Sequence, residues 1–154
     1  MNRLPLILVL IILCLGACTP GHNDFNDFEN LPGEGWVYGD TVTFVTDTLD
    51  SLPVTGTVEV SVRHNNTYLY RNLWLEITYA SNGYTCHDTL NMELADVYGR
   101  WHGNGFGASY QYSLPLPRKV SLGPGTRIGV NHIMRVDTLT GLEQLGIRFK
   151  KDKR

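Results

Sequence analysis

Cysteine is scarce in this chain. Of three in 154 residues, Cys14 and Cys18 fall within the first eighteen positions, leaving Cys86 as the single later thiol. An excess of either charge is missing too: 13 Lys and Arg stand against 15 Asp and Glu, for a formal net charge of −2. That balance excludes the basic field of a nucleic-acid binder. Charged residues make up only 18% and apolar ones 42%, which is too apolar for a disordered chain. No window of a dozen residues keeps a 3.6 period, and no internal repeat is visible. The one long apolar run, Leu4 to Leu15, has twelve residues, too few to cross a bilayer's hydrocarbon. Metal-ligand spacing is absent among His64, His87 and His102, and no Ser/His/Asp set is suggested. No catalytic residue, metal or cofactor is therefore expected. The length suits one domain with a real core.

What is present begins with a leader. Asn2 and Arg3 form a short positive segment before the apolar run, and Leu15-Gly16-Ala17 puts small residues directly before Cys18. Small side chains at that place suit a signal peptidase. The Leu-Gly-Ala-Cys form resembles the bacterial lipobox, in which the cysteine thiol takes a diacylglyceryl group and the freed amine is acylated. Residues 1–17 are thus expected to leave as a lipoprotein signal peptide, with Cys18 as the lipid attachment. Two or three acyl chains hold a membrane where one does so marginally, at about 0.8 kcal/mol per buried methylene. Cys86 then has no cysteine to pair with inside the chain. Cys86-His87-Asp88 resembles catalytic material, but neighbours on a strand point to opposite faces. His87 would turn away from the thiol, which suits a half-buried filler.

Residues 18–34 are read as the lipidated N-terminus and a flexible tether. Two prolines, two glycines and four carboxylates lie in 19–34 without apolar periodicity, with Phe25 and Phe28 as possible contacts to a domain edge. From Trp36 the period is two. Val58, Val60 and Val62 alternate with Thr57, Glu59 and Ser61, the pattern of a half-buried strand. Val42 and Phe44, Leu73 to Ile77, Leu90 to Leu94, Tyr110 to Leu114, Ile128 to Val136 and Leu145 to Phe149 repeat it. Asn65-Asn66, Ser81-Asn82-Gly83, Gly99–Gly107 and Gly123-Pro124-Gly125 supply turns between them. One short helical turn fits Thr138–Glu143. The expected fold is all-β: a single antiparallel β-sandwich of about seven or eight strands over 35–149, with a closed barrel second, and 150–154 as a basic tail.

A longer pattern runs through this domain. Trp36, Asp40-Thr-Val-Thr-Phe44, Arg63-His64 and Tyr68-Leu-Tyr-Arg-Asn-Leu-Trp-Leu75 form its first part. Asp88-Thr-Leu90, Asp96, Gly99-Arg-Trp-His-Gly-Asn-Gly105, His132-Ile-Met-Arg-Val-Asp-Thr-Leu139, Gly141 and Gly146 complete it. With the lipobox and this length, the order and spacing resemble the gliding-motility lipoprotein GldH family. The resemblance implies a non-enzymatic cell-envelope lipoprotein, an accessory of gliding motility and its linked protein secretion. Partners would then be the membrane, through lipidated Cys18, and other envelope proteins. Thr19 stands where an inner-membrane retention aspartate often follows the cysteine, and no dense acidic run adjoins it. The periplasmic face of the outer membrane is the expected location.

Within the domain, Gly103-Asn-Gly-Phe-Gly107 reads as a loop between strands rather than a phosphate cradle, since no helix pattern follows. His132 lies in the apolar register and reads as a core imidazole. Aromatic planes can fill a partner's pocket or stack on sugar. Tyr68, Tyr70, Trp74 and Trp101 are therefore the candidate surface for a protein or, in the alternative reading, a glycan. Five triplets of Asp, Ser or Thr, and an aliphatic residue resemble an O-glycosylation pattern of exported proteins. They nominate Thr41, Thr48, Ser51, Thr89 and Thr138, although strand starts after turns produce the same triplet.

Overall fold

The computed structural model describes residues 25–49 and 52–152. Seven strands are those that the alternation marks: Val42–Val45 (β3), Val54–Asn65 (β4), Asn72–Ser81 (β5), Tyr84–Glu93 (β6), Ser109–Pro115 (β8), Arg127–His132 (β10) and Leu142–Lys151 (β12). Five more interleave with them: Phe25–Asn30 (β1), Trp36–Val37 (β2), Asn104–Phe106 (β7), Val120–Leu122 (β9) and Thr138–Leu139 (β11). They form a six-stranded sheet in the order β1-β12-β4-β8-β7, with β9 pairing the start of β4. A four-stranded sheet runs β3-β10-β5-β6, and β11 pairs β2. The ladders are antiparallel, as the expected sandwich requires.

The core sits where period two places it. Val58, Val60 and Val62 line up with Phe149, Ile147 and Leu145 on the adjoining strand, and all six are fully buried. Leu73, Leu75, Ile77, Met92, Ile128 and Val130 oppose them from the smaller sheet, equally buried. Each such side chain contributes roughly 1.5–3 kcal/mol of transfer free energy. Asn82 and Gly83 both have positive φ, at 51° and 80°, the conformation of a tight two-residue hairpin between β5 and β6.

Four sequence expectations change. The tether does not run to residue 34, because Phe25–Asn30 pairs with Gln144–Phe149 as an edge strand and Phe25 is buried. Phe25 and Phe28 are the reason: polar composition hid a strand whose register depends on two rings. Lys150 and Lys151 close β12 rather than open a tail, with Lys150 paired to Glu59 at 3.0 Å. Thr138–Glu143 is strand, then turn, then strand. Gly141 breaks it, with φ at +82° and its Cα against the Tyr68 backbone, where a Cβ would lie 2.4 Å from the amide nitrogen. Lastly, β10 ends at His132 instead of running to Val136: the Trp74 N–H meets the Met134 sulfur instead of a backbone carbonyl, and the chain bends over 135–137.

Register also defines two ends. β1 begins at Phe25, opposite Phe149, so the chain enters at one end, here the base. At the other end, the apex, β4 and β6 finish and β5, β8 and β12 begin. The segments 31–41, 66–71, 94–103 and 133–141 gather there.

Candidate interaction surface

Eight of the eleven large hydrophobic side chains exposed among the described residues belong to the apex or its border: Val37, Tyr38, Leu69, Trp74, Val97, Tyr98, Phe106 and Ile133. Leu52 and Tyr84 lie at the base, and Phe28 midway along β1. Trp74 faces outward from β5, as alternation with buried Leu73 and Leu75 demands. It borders a groove of about 530 Å³ with Tyr70, Asn72, Ile133, Met134, Arg135 and Val136. Its backbone N–H is covered by the Met134 sulfur at 3.4 Å, and its carbonyl accepts from Ile133 at 2.9 Å. A second hollow of about 220 Å³ continues past Tyr38 to Asp137.

At the same end stands a pre-set turn. One Asp96 oxygen accepts the backbone N–H groups of Tyr98 and Arg100 at 2.8 and 2.9 Å, and the other accepts Arg100 Nε at 2.7 Å. The Arg100 backbone N–H, with its guanidinium and the Tyr98 amide, holds this carboxyl below the usual carboxylate range. Gly99 takes the positive φ that closes the turn. Tyr98 is held out at 83% exposure, under the Arg100 guanidinium at 5.7 Å. A rigid exposed aromatic loses little entropy on docking, as anchors of interfaces do.

The four aromatics picked out from sequence separate. Trp74, at 41% exposure, and half-buried Tyr70 reach the groove. Tyr68 belongs to the core and donates its hydroxyl to the Asn72 carbonyl at 2.9 Å, so it is no contact residue. Burial raises the pKa of its phenol well above the ordinary value. Trp101 is half-buried, its ring 4.5 Å from His64 and its Nε1 donating to Asn66 at 3.1 Å. Sequence reading missed Val97, Tyr98, Phe106, Leu69 and Ile133. Their signal was an apolar residue inside turn chemistry, as with Phe106 between Gly105 and Gly107.

Two of the imidazoles belong to the core. His64 and His132 are buried, contacting the carbonyls of Asn65 and Trp36 at 3.2 Å each. Burial lowers both pKa values and keeps the rings neutral. Neither His64 Nε2 nor His132 Nδ1 has a hydrogen-bond partner. Among the described residues no three His, Cys, Asp or Glu side chains converge as a metal site would need. Cys86 is half-buried against the core, while His87 points outward to Thr78 at 3.1 Å. Asp88 turns inward, bound by the Tyr79 hydroxyl and the Arg118 guanidinium. Burial pushes its pKa up, and those two donors reverse the effect and bring it below the usual value. Asn104–Phe106 is a short strand leading by a turn into β8, with no helix after it.

Thr41, Thr48, Thr89 and Thr138 are all exposed. Thr41 Oγ1 already accepts from Asn131 at 2.7 Å, and Thr138 lies on β11 rather than in a loop. Cys18 and Ser51 lie outside the described residues.

Comparison with known proteins accounts for this chain almost end to end. The family model described as GldH lipoprotein matches residues 23–149. The gliding motility lipoprotein GldH of Flavobacterium johnsoniae is 27% identical over 153 residues, covering 94% of both chains. A GldH homolog of Christiangramia forsetii is 26% identical over 156 residues, covering 94% of this chain and 93% of its own. Among solved structures, the globular domain of zebrafish complement 1qA aligns at a TM-score of 0.48 with 10% identity, over 85% of this chain and 99% of that one.

Proposed function

The chain belongs to the GldH lipoprotein family, and on that premise we propose that it is a non-enzymatic binding module of the gliding-motility and linked secretion machinery. It holds other envelope proteins by its apex. The observation that carries this reading is the segregation of exposed apolar side chains to the end opposite the chain's entry. Lipidation of Cys18 tethers the base: seven residues from Cys18 to Phe25 reach at most about 25 Å. β4 alone, with its 12 residues, is roughly 37 Å long, so the apex stands off the bilayer on the periplasmic face of the outer membrane. Side chains that water disfavours, held away from lipid, suit a protein partner.

The same groove suits sugar less well. With Tyr68 in the core and Trp101 packed on His64, its aromatics are Trp74 and Tyr70, flanked by Ile133, Met134 and Val136. Apolar walls match an apolar side chain better than a ring of hydroxyls. The test is genetic. Deleting the gene should abolish colony spreading or cargo secretion, and Trp74→Ala with Tyr98→Ala, at wild-type protein level, should reproduce the defect. Normal spreading and normal secretion in the deletion strain contradict the reading. Protease treatment of intact cells tests the location, since cleavage without permeabilisation means surface exposure. Intact-mass measurement from the native host reads the lipid on Cys18 and any hexose on the five Ser and Thr hydroxyls.

A further inference from the structure

The outer face of the six-stranded sheet carries a second surface, distinct from the groove at Trp74. Its middle row is short: Gly146, Ser61 and Ser113 stand in register on β12, β4 and β8. On one side Arg148 pairs across to Glu59. On the other, Gln144, Arg63 and Gln111 line up in the same way. Small residues between two rows of long polar ones make a trough that runs across the strands. Three strand spacings of about 4.8 Å give it about 14 Å from β1 to β8. It encloses about 480 Å³ and continues past Asn104 into a hollow of about 780 Å³.

Phe28 closes the β1 end. It stands opposite Gly146, where an added Cβ would lie 2.3 Å from the ring. The ring therefore lies over bare backbone at trough level and stays 39% exposed. Hydrogen bonds hold the rest: Ser61 to Ser113 at 2.7 Å across the floor, and Arg63 to Gln111 at 3.2 Å along one wall.

We propose that this trough binds an extended oligosaccharide bearing carboxylates. β12 and β4 are each paired on both sides, so their backbones offer a peptide strand no ladder to join. What remains are side-chain amides, hydroxyls and guanidinium groups, the partners that sugar hydroxyls and carboxylates accept. An aromatic face at one end is a platform for a sugar ring. Glu59 is already bound to Lys150 at 3.0 Å, and the Arg63 guanidinium lines the opposite wall, so the trough favours an anion.

Calorimetric titration of the full chain in mild detergent, with tetragalacturonate as probe, is the test. Binding is expected, at least about tenfold weaker in Arg63→Ala and in Gln111→Ala, weaker for the methyl-esterified sugar, and unchanged in Trp74→Ala. Both trough variants sit on the surface, and circular dichroism confirms that they fold. No binding of tetragalacturonate, equal binding of its methyl ester, or undiminished binding by both variants would overturn the proposal. Because Trp74→Ala disables the apex alone, failure here and failure of the apex reading are separate results.

Discussion

The base and the apex of this sandwich spend their side chains differently. Near the base, polar groups satisfy one another. Asp88 is held by Tyr79 and Arg118, Glu59 by Lys150, and Asp152 by Lys119. At the apex Glu143 is likewise held by Asn65 and Ser109, but Asp96 fixes a turn whose tip is Val97 and Tyr98, both facing water. The polar order of the base closes on itself, while the apex adds an ordered turn that presents something outward. Exposed Val, Tyr and Phe add little to folding and raise the risk of association, so their clustering is intelligible as a surface kept for a partner.

That contrast can be broken by mutation. Asp88→Ala strips a buried carboxylate from two donors. It should cost about 1–3 kcal/mol in urea unfolding, the lower part of the range because Arg118 is half exposed. Partner capture by the surviving folded protein should be normal. Tyr98→Ala should do the reverse, with stability within about 0.5 kcal/mol of wild type and affinity for a captured partner at least about tenfold weaker, a change of about 1.4 kcal/mol. If Tyr98→Ala unfolds the domain, the apex is framework and the contrast fails.

Acid sharpens the comparison from inside. His64 and His132 are buried with pKa values below the ordinary 6.5. The unfolded chain therefore takes up protons first as the pH falls. The stability that these rings allow is complete above about pH 6.5 and is lost below it, toward their lower folded values. Thermal melting between pH 7.5 and 5 should show the decline, and His64→Phe should flatten part of it. A melting temperature independent of pH across that window would mean that neither ring is held neutral. The smallest effect belongs to Asp96→Ala. It should leave the melting temperature near wild type and weaken partner binding a few-fold, because the loosened turn must be ordered on docking.

Much of the fold was legible because a half-buried strand writes itself as alternation. Val58-Glu-Val-Ser-Val62 admits little else, and Asn82-Gly83 marks its hairpin. β1 was illegible for the opposite reason. An edge strand with one buried residue, Phe25, has too little apolar content to stand out from a tether. Gly141 and Gly146 could be noted in sequence but not explained, since one gives way to the backbone of Tyr68 and the other to the ring of Phe28. Both contacts are long-range. The candidate surface was half visible: alternation sent Trp74 outward, but it could not bury Tyr68 or set Tyr98 on a rigid turn. The trough was hidden because its rows cross four strands and so never adjoin in the chain.

The central claim, that the apex faces a protein partner while the base faces the anchor, is tested most directly by site-specific photocrosslinking in living cells. A photoreactive residue replaces Tyr98 at the apex or Tyr84 at the base, and the adducts are identified by mass spectrometry. The account predicts discrete protein adducts from position 98 and none from position 84. Adducts from position 84 with none from position 98 would contradict it.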